Sequence, residues 1–397
     1  MTLPTELVPL LQALVRIPSP NPPGDTRDVA AFIADWMRAI TLGAEVTTPA
    51  PEDKPEAVSV IATIGKGHPI VLVHAHIDTV PIAQQEARRW SVDPYAAEIR
   101  ANRVYGKGSV DDKAPLAAMM IAFVEAAQKG ISGTLVLVAA AEEEVGGQLG
   151  TKWLADNGNL PAADFFIIGE QTHNHAAIAH KGVIRAEIRA TGRAAHATNP
   201  DRGINAITAM AKVVLALEQY HASLRDRVHP LIGTATCNVG VIHGGSTFNA
   251  VPDTCTILVD RRMIPHDDPA EVQDELRAIV ARVAAEVAPA ELTIGEFLVS
   301  GWFSSTLDSA LGQTFLDCIR AELDESPGPI GYLPGSDAKH VQDLAAQSGG
   351  EIVVFGPGSY EVAHAFDEYV DIDELQETIN ILRRFLNETL ALKGDEG

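Results

Sequence analysis

At residues 133–147 the chain reads GTLVLVAAAEEEVGG, an apolar run that ends in three consecutive carboxylates and a Gly pair. A continuous run of Val, Leu and Ala, with no alternation of polar and apolar positions, predicts a strand buried on both faces. Runs of the same kind stand at 57–64 (AVSVIATI), 69–78 (PIVLVHAHID), 164–170 (DFFIIGE) and 351–356 (EIVVFG). Apolar residues at helical spacing mark 5–17, 28–40, 114–128, 307–324 and 372–392. Strands of this type alternating with helices predict an α/β fold, a mostly parallel sheet covered by helices. Ligands in such sheets bind beyond the carboxyl ends of the strands, where this chain keeps its acids and histidines.

The middle of the chain has a different rhythm. Residues 183–191 (VIRAEIRAT) alternate with period two, as do parts of 234–242 and 254–262, and helical patterns cover 203–220 and 268–287. Strands with one polar face plus two helices predict a smaller α+β domain inserted at 178–296. The first domain is then built from 1–177 and 297–397.

Composition narrows the function. Of 397 residues, 53 are acidic and 30 are Lys or Arg, a formal charge of −23 that repels phosphate backbones and anionic lipid surfaces. Nucleic-acid and membrane partners are therefore not expected. Hydrophobic residues make up 46% of the chain, so a full core can form without covalent staples. Cys237, Cys255 and Cys318 follow no disulfide or metal spacing, and the opening MTLPTELVPLLQALV lacks the basic region and cleavage site of a signal peptide. A reducing, cytoplasmic setting is expected.

The chemistry stands at the ends of the runs. His76 closes one strand and Asp78 follows at i+2, on the same side of an extended chain, where an acid can hold one imidazole nitrogen and turn the other to a metal. His74 shares that parity deeper in the strand and reads as a packed histidine or as one that supports a metal ligand from behind. Asp111 and Asp112 follow a Gly-rich turn (VYGKGSVDDKAP) and precede an apolar helix, two acids where a cap needs one. Glu142, Glu143 and Glu144 repel one another at the end of a buried strand unless a cation joins them. One of them can ligate while a neighbour serves as general base. Glu170 ends a fourth run, and His364 follows the fifth in SYEVAHAFDEYV. Two His and several carboxylates suit a pair of borderline divalent ions, zinc first, with cobalt or manganese as alternatives.

In order along the chain stand SPNPPGD, HIDTVP, GKGSVDDK, EEEVGG, GE, GRAAHATNPDRGINAI, GGSTFNAVPD, DRR, GSDAK and FGPG…H. This series resembles the dinuclear-zinc amidohydrolases and peptidases that include acetylornithine deacetylase, succinyl-diaminopimelate desuccinylase, aminoacylase and glutamate carboxypeptidase, over nearly the whole chain. The resemblance implies that His76 and Glu170 hold one metal and Glu144 and His364 the other, with Asp111 bridging them. It also implies that Asp78 orients His76, that Glu143 is the general base, that Glu142 is an outer acid, and that the Asp111–Asp112 peptide is cis. In the inserted domain it implies that His196 stabilises the oxyanion, in dimeric members from the neighbouring subunit. Asn249 and Arg262 match positions that contact substrate. Arg262 is the expected carboxylate clamp, and Arg261, on the opposite strand face, the poorer candidate. Gly335 and Ser336 lie in a loop that often lines the substrate pocket.

The chain departs from the family pattern at Ala75, Lys107, Ala114 and Gln171, where Gly, Arg, Gly and Pro are common. None of the four is a ligand or the base, but they loosen any assignment to one substrate. His173, His175 and His180 read as exposed hinge histidines. The implied activity is hydrolysis of the amide bond in a small N-acyl amino acid by a homodimer joined through the inserted domain. Its rivals are a di-, amino- or carboxypeptidase acting on small peptides, and a non-catalytic binding protein on the same fold.

Overall fold

The computed structural model describes residues 3–83, 85–323 and 328–392. Position 324, the last of the expected helix 307–324, and the outermost residues of the expected first domain lie outside them. The chain forms two compact units. One runs up to Ile178 and resumes at Ser305, and the other is Ala179–Ser304.

The first unit is built on a mixed sheet ordered Glu45–Thr47, Val60–Lys66, Gly133–Ala140, Ile70–His76, Phe165–Gly169, Glu351–Phe355 and Ala177–His180, the last strand crossing the unit boundary. The expectation of a mostly parallel sheet is corrected here. The three central pairings are parallel, and the flanking ones are antiparallel. Only residues 67–69 separate Val60–Lys66 from Ile70–His76, too short a link for a parallel crossover, so the chain reverses. Gly133–Ala140 then enters between the two, pairing antiparallel with the first and parallel with the second.

Both faces of this sheet are covered. Val71, Val73 and Ala75 join a core with the helices Leu7–Val15, Arg27–Ile40, Lys113–Lys129, Ala310–Leu323 and Ile372–Leu390. Phe165, Phe315 and Phe385 meet there with ring centroids 5.1–5.6 Å apart. On the other face lie Thr151–Asp156 and Ala338–Ser348, and His74 points that way into Thr151. With both faces covered and largely apolar, and His74 the polar residue of Ile70–His76 that is held on a face, the carboxylates and the other histidines collect at the strand ends.

The second unit is a five-stranded antiparallel sheet ordered Thr236–Gly244, Thr254–Met263, Gly182–Thr191 and Glu291–Ile294, with Leu298–Ser300 also pairing to Gly182–Thr191. One face carries Ile184, Ile188, Ile257 and Val259 against the helices Ala206–Ser223 and Pro269–Val287. Each helix starts where a cap permits. Asn205 accepts the Thr208 amide at 3.1 Å, and Asp268 accepts the Ala270 amide at 2.7 Å with Pro269 in the first turn. His180 is corrected from an exposed hinge residue to a fully buried one, because it ends an inner strand and packs on Phe303 with centroids 5.4 Å apart. No helix among the described residues is long and apolar enough to cross a membrane.

Candidate active site

The parallel strands Ile70–His76, Gly133–Ala140, Phe165–Gly169 and Glu351–Phe355 point the same way, so their carboxyl ends share one edge of the sheet. His76 is the last residue of the first, and Glu170 directly follows the third. After Ala140 the chain turns at Glu142, whose φ is 72°, and folds Glu143 and Glu144 into a short 3-10 turn. Glu142 is anchored by Lys54 Nζ at 3.1 Å and by the Leu149 amide at 2.6 Å. Gly147, at φ 71°, has to lack a side chain, since a Cβ there would run into Asp337 and His340. Asp111 is delivered by the loop ahead of Lys113–Lys129, held by the buried pair of Lys107 and Glu368 at 2.8 Å. Glu368 also accepts the Val110 and Asp111 amides. The Asp111–Asp112 peptide is cis.

Two groups of potential ligands result. His76, Asp111 and Glu170 present ligand atoms within 4.8 Å of one another, and so do Asp111, Glu144 and His364. Asp111 belongs to both. Its Oδ1 lies 2.9 Å from His76 Nε2, and its Oδ2 lies 3.1 Å from His364 Nε2, which is also 3.1 Å from Glu144 Oε2. One imidazole and two carboxylates per group, with a shared carboxylate between them, is a donor set that fits two borderline divalent cations.

Asp78 works differently from the expectation. Its main-chain carbonyl lies 3.0 Å from His76 Nδ1, while its carboxylate stands off at 3.5 Å. That carboxylate is engaged elsewhere, accepting the amides of Glu143 at 3.1 Å and Glu144 at 3.3 Å and the Asn21 side chain at 2.9 Å. The carbonyl can only accept, so it fixes a proton on Nδ1 and leaves Nε2 for a ligand. Asp112 makes no side-chain cap; its Oδ2 takes the His76 amide at 3.1 Å.

Burial and close approach shift the titration of these groups. Burial, then the neighbouring Asp111, pushes the Glu170 and Glu144 carboxyls up, and burial does the same to Asp112. Glu143 is raised to about 8 by burial, against the pull of Lys339. Hydrogen bonds to Asp111 and Glu144 raise His364 to about 10. Burial alone would lower His76, but its bonds to Asp111 and Asp78 outweigh that and hold it high. Burial would likewise raise Asp111, yet the bonds from His364 and His76 keep it low. Carboxylates this close to one another and to two imidazoles form a donor set that a divalent cation would suit.

Three neighbours of the cluster escaped the sequence reading. Lys339 Nζ stands 3.8 Å from Glu143 Oε1 and donates to the Ser336 carbonyl at 2.8 Å. Gln171 and Tyr332 bond to Glu170. Lys339 lies inside the GSDAK motif and Gln171 at a departure from the pattern, so both carried a signal; Tyr332 carried none. Gly335 is exposed, whereas Ser336 is buried and its Oγ accepts the Ala338 amide.

The remaining expected residues belong to the second unit. His196 is exposed, and its Nδ1 accepts the Thr198 amide at 3.2 Å. Asn249 Oδ1 accepts the Thr247 hydroxyl at 2.7 Å. Arg262 is paired with Asp260 at 2.7 Å, and Asp260 also holds Arg185 at 2.9 Å. Arg261 is fully buried against Tyr220 and Asp267.

Residues 72–388 match the model of peptidase family M20/M25/M40. Among curated relatives, acetylornithine deacetylase of Vibrio cholerae is 30% identical over 379 residues, covering 90% of each chain. A Staphylococcus aureus protein named "Probable succinyl-diaminopimelate desuccinylase" is 27% identical, covering 95% of this chain and 96% of its own. Among solved structures, an M20 family metallo-carboxypeptidase from Sulfolobus solfataricus superposes with a TM-score of 0.77 at 20% identity, over 96% of this chain and 98% of its own.

Proposed function

This chain belongs to peptidase family M20/M25/M40, hydrolases of amide bonds, and from that premise we propose that it removes the acyl group from a small N-acyl amino acid. The acetylornithine deacetylase relatives support the substrate class. The observation that carries the chemistry is the pair of histidine–carboxylate groups joined through Asp111, with the partly buried Glu143 beside them. His76, Asp111 and Glu170 hold one divalent cation, and Asp111, Glu144 and His364 the other, with zinc the leading candidate. When bound, these cations supply the positive charge that polarises an amide carbonyl and makes water acidic near neutral pH.

Glu143 takes the proton of the attacking water and returns it to the leaving amine. Its position follows from the Asp78 carboxylate, which grips the Glu143 and Glu144 amides together. Lys339 keeps a positive charge near Glu143 and, through the Ser336 carbonyl, ties it to the Gly335–Ser336 loop, the expected lining of the substrate pocket. His196 donates to the oxyanion. With Nδ1 occupied by the Thr198 amide, the ring proton sits on Nε2, the tautomer such a donor needs. Arg262 exchanges Asp260 for the substrate carboxylate, and Asn249 flanks the scissile group. The GRAAHATNP motif supports delivery of His196 from a second copy of the chain, in a homodimer joined through residues 178–296, the inserted domain. A cytoplasmic site of action completes the reading.

The fold shared with a metallo-carboxypeptidase favours a second reading, in which the scissile amide is the terminal peptide bond of a small peptide. A panel of N-acetyl and N-succinyl amino acids and dipeptides, assayed with metal-reconstituted protein, separates the two. Preferred turnover of acyl amino acids is expected, and turnover confined to dipeptides overturns the deacylase assignment. In the same assay Glu143→Gln should lower kcat by about 10²–10⁴-fold while two metals stay bound. Near-native turnover by that variant would remove Glu143 from the role of base.

A further inference from the structure

The two halves of the ligand cluster are held by different means. Around Glu170 the holding is done by buried neutral side chains. Gln171 is 2% exposed, and its Nε2 donates to Asp111 Oδ1 at 3.0 Å and to Glu170 Oε2 at 3.1 Å. Tyr332 is 3% exposed, and its hydroxyl lies 2.9 Å from that same Oε2 and 2.9 Å from Gln171 Oε1. Both donors reach Oε2, so the lone pairs of Glu170 Oε1 remain for a cation. Around Glu144 the holding is looser: its Oε1 takes the Val80 amide at 2.9 Å, and its partner His364 has a side chain 53% exposed.

A primary amide suits the place between Asp111 and Glu170. It has two N–H donors and no charge, so it can bridge two anions without neutralising the attraction they offer a cation. Pro at 171 would supply no donor, and Glu would add another anion to a crowded site. Leaving its own oxygen turned to Tyr332, Gln171 holds the ligands without being one.

We propose that Gln171 and Tyr332 are positioning residues that fix Glu170 and Asp111 before a cation arrives, and so set the affinity of the His76–Asp111–Glu170 half separately from the Glu144–His364 half. This rests on the two-cation reading given above. Outer partners of metal ligands act by fixing ligand orientation, and their loss weakens binding by about 10- to 100-fold.

The test is a titration of metal-free protein with Zn²⁺ against a chromophoric chelator, repeated with Co²⁺ to follow ligand-field bands. Wild type should take up two ions. Tyr332→Phe should weaken one of them and leave the other in place. Gln171→Leu should weaken the same ion by about 10- to 100-fold, with a smaller effect on the second through shared Asp111. The double variant should lose less than the product of the single losses, because both residues act on one Glu170 oxygen. In a His364→Ala background, where only the His76 half can fill, the Gln171→Leu loss should persist, together with a shifted cobalt spectrum. Wild-type affinities in both single variants, or equal weakening of both ions in each, overturn the proposal. Failure of wild type to bind two ions overturns the two-cation reading itself, and the proposal with it.

Discussion

The strands Phe165–Gly169 and Gly182–Thr191 lie close in sequence and are opposites in burial. Every residue of the first is buried, whereas the second is buried at alternate positions and exposes Arg185, Glu187 and Arg189 between them. The first runs through the middle of a sheet covered on both sides, so its one polar contribution, Glu170, comes after the strand ends. The second has helices on one face only, and its other face carries the charges of Arg185, Glu187 and Arg189. The contrast separates two kinds of site. A sheet buried on both faces gathers carboxylates and histidines at one edge, close enough to share a cation. A sheet with one open face spreads ion pairs such as Arg185–Asp260–Arg262 across a solvent-facing surface.

That contrast can be broken by substitution. Asp111→Ala is expected to have the largest effect, the loss of both bound metals and of turnover, since one carboxylate serves both halves of the edge cluster. Metal analysis that still finds two tightly held ions would end the bridging assignment. Within the buried strand, Phe166→Ala should cost about 3–5 kcal/mol of stability, because a fully buried aromatic leaves a cavity. Denaturant unfolding measures it. In the half-open strand, Arg189→Ala should stay within about 0.5 kcal/mol in the same experiment. Comparable losses for the two would mean that the open face is not open.

A pH prediction sharpens the description of the covered sheet. His74 is buried, and its Nε2 lies 2.7 Å from Thr151 Oγ1, whose proton goes to Asp337 at 2.6 Å. Burial lowers its pKa from 6.5 to about 4, with Asp337 pulling the other way. The folded value lies below the unfolded one, so the folded state prefers the neutral ring. Its contribution is complete above pH 6.5 and is lost as pH falls from there toward 4, about 3 kcal/mol in all. Metal-free wild type and His74→Gln, unfolded in urea between pH 7 and pH 4.5, should differ in slope, with the wild type losing stability faster. Parallel curves would show that His74 is not the buried neutral group described.

The effect on recognition is smaller than the loss of metal. Arg262→Ala should raise KM for carboxylate-bearing substrates by about 10- to 100-fold, the range for a charged hydrogen bond, and barely affect an amidated substrate. Arg262 is half-exposed and already paired with Asp260, so the lower part of that range is expected. Equal losses on both substrates would remove it as the clamp.

Much of this was legible in the residues themselves. Continuous apolar runs marked the buried strands, period two marked the half-open ones, and acids or histidines after four of the runs and one Gly-rich turn marked the chemistry. These are local properties, set by the spacing of side chains along one element. The order Gly133–Ala140, Ile70–His76, Phe165–Gly169 and the antiparallel flanks were not legible, because strand order is decided by which edges meet, not by any one strand. For the same reason the sequence alone singled out Asp78 as a partner of His76, while packing decided that its carbonyl takes the imidazole and its carboxylate the Glu143–Glu144 amides. Tyr332 stands 162 positions from Glu170 in the chain and 2.9 Å from it in space. Contacts of that kind depend on closing a long loop onto a finished sheet, and no pattern within a single element encodes them.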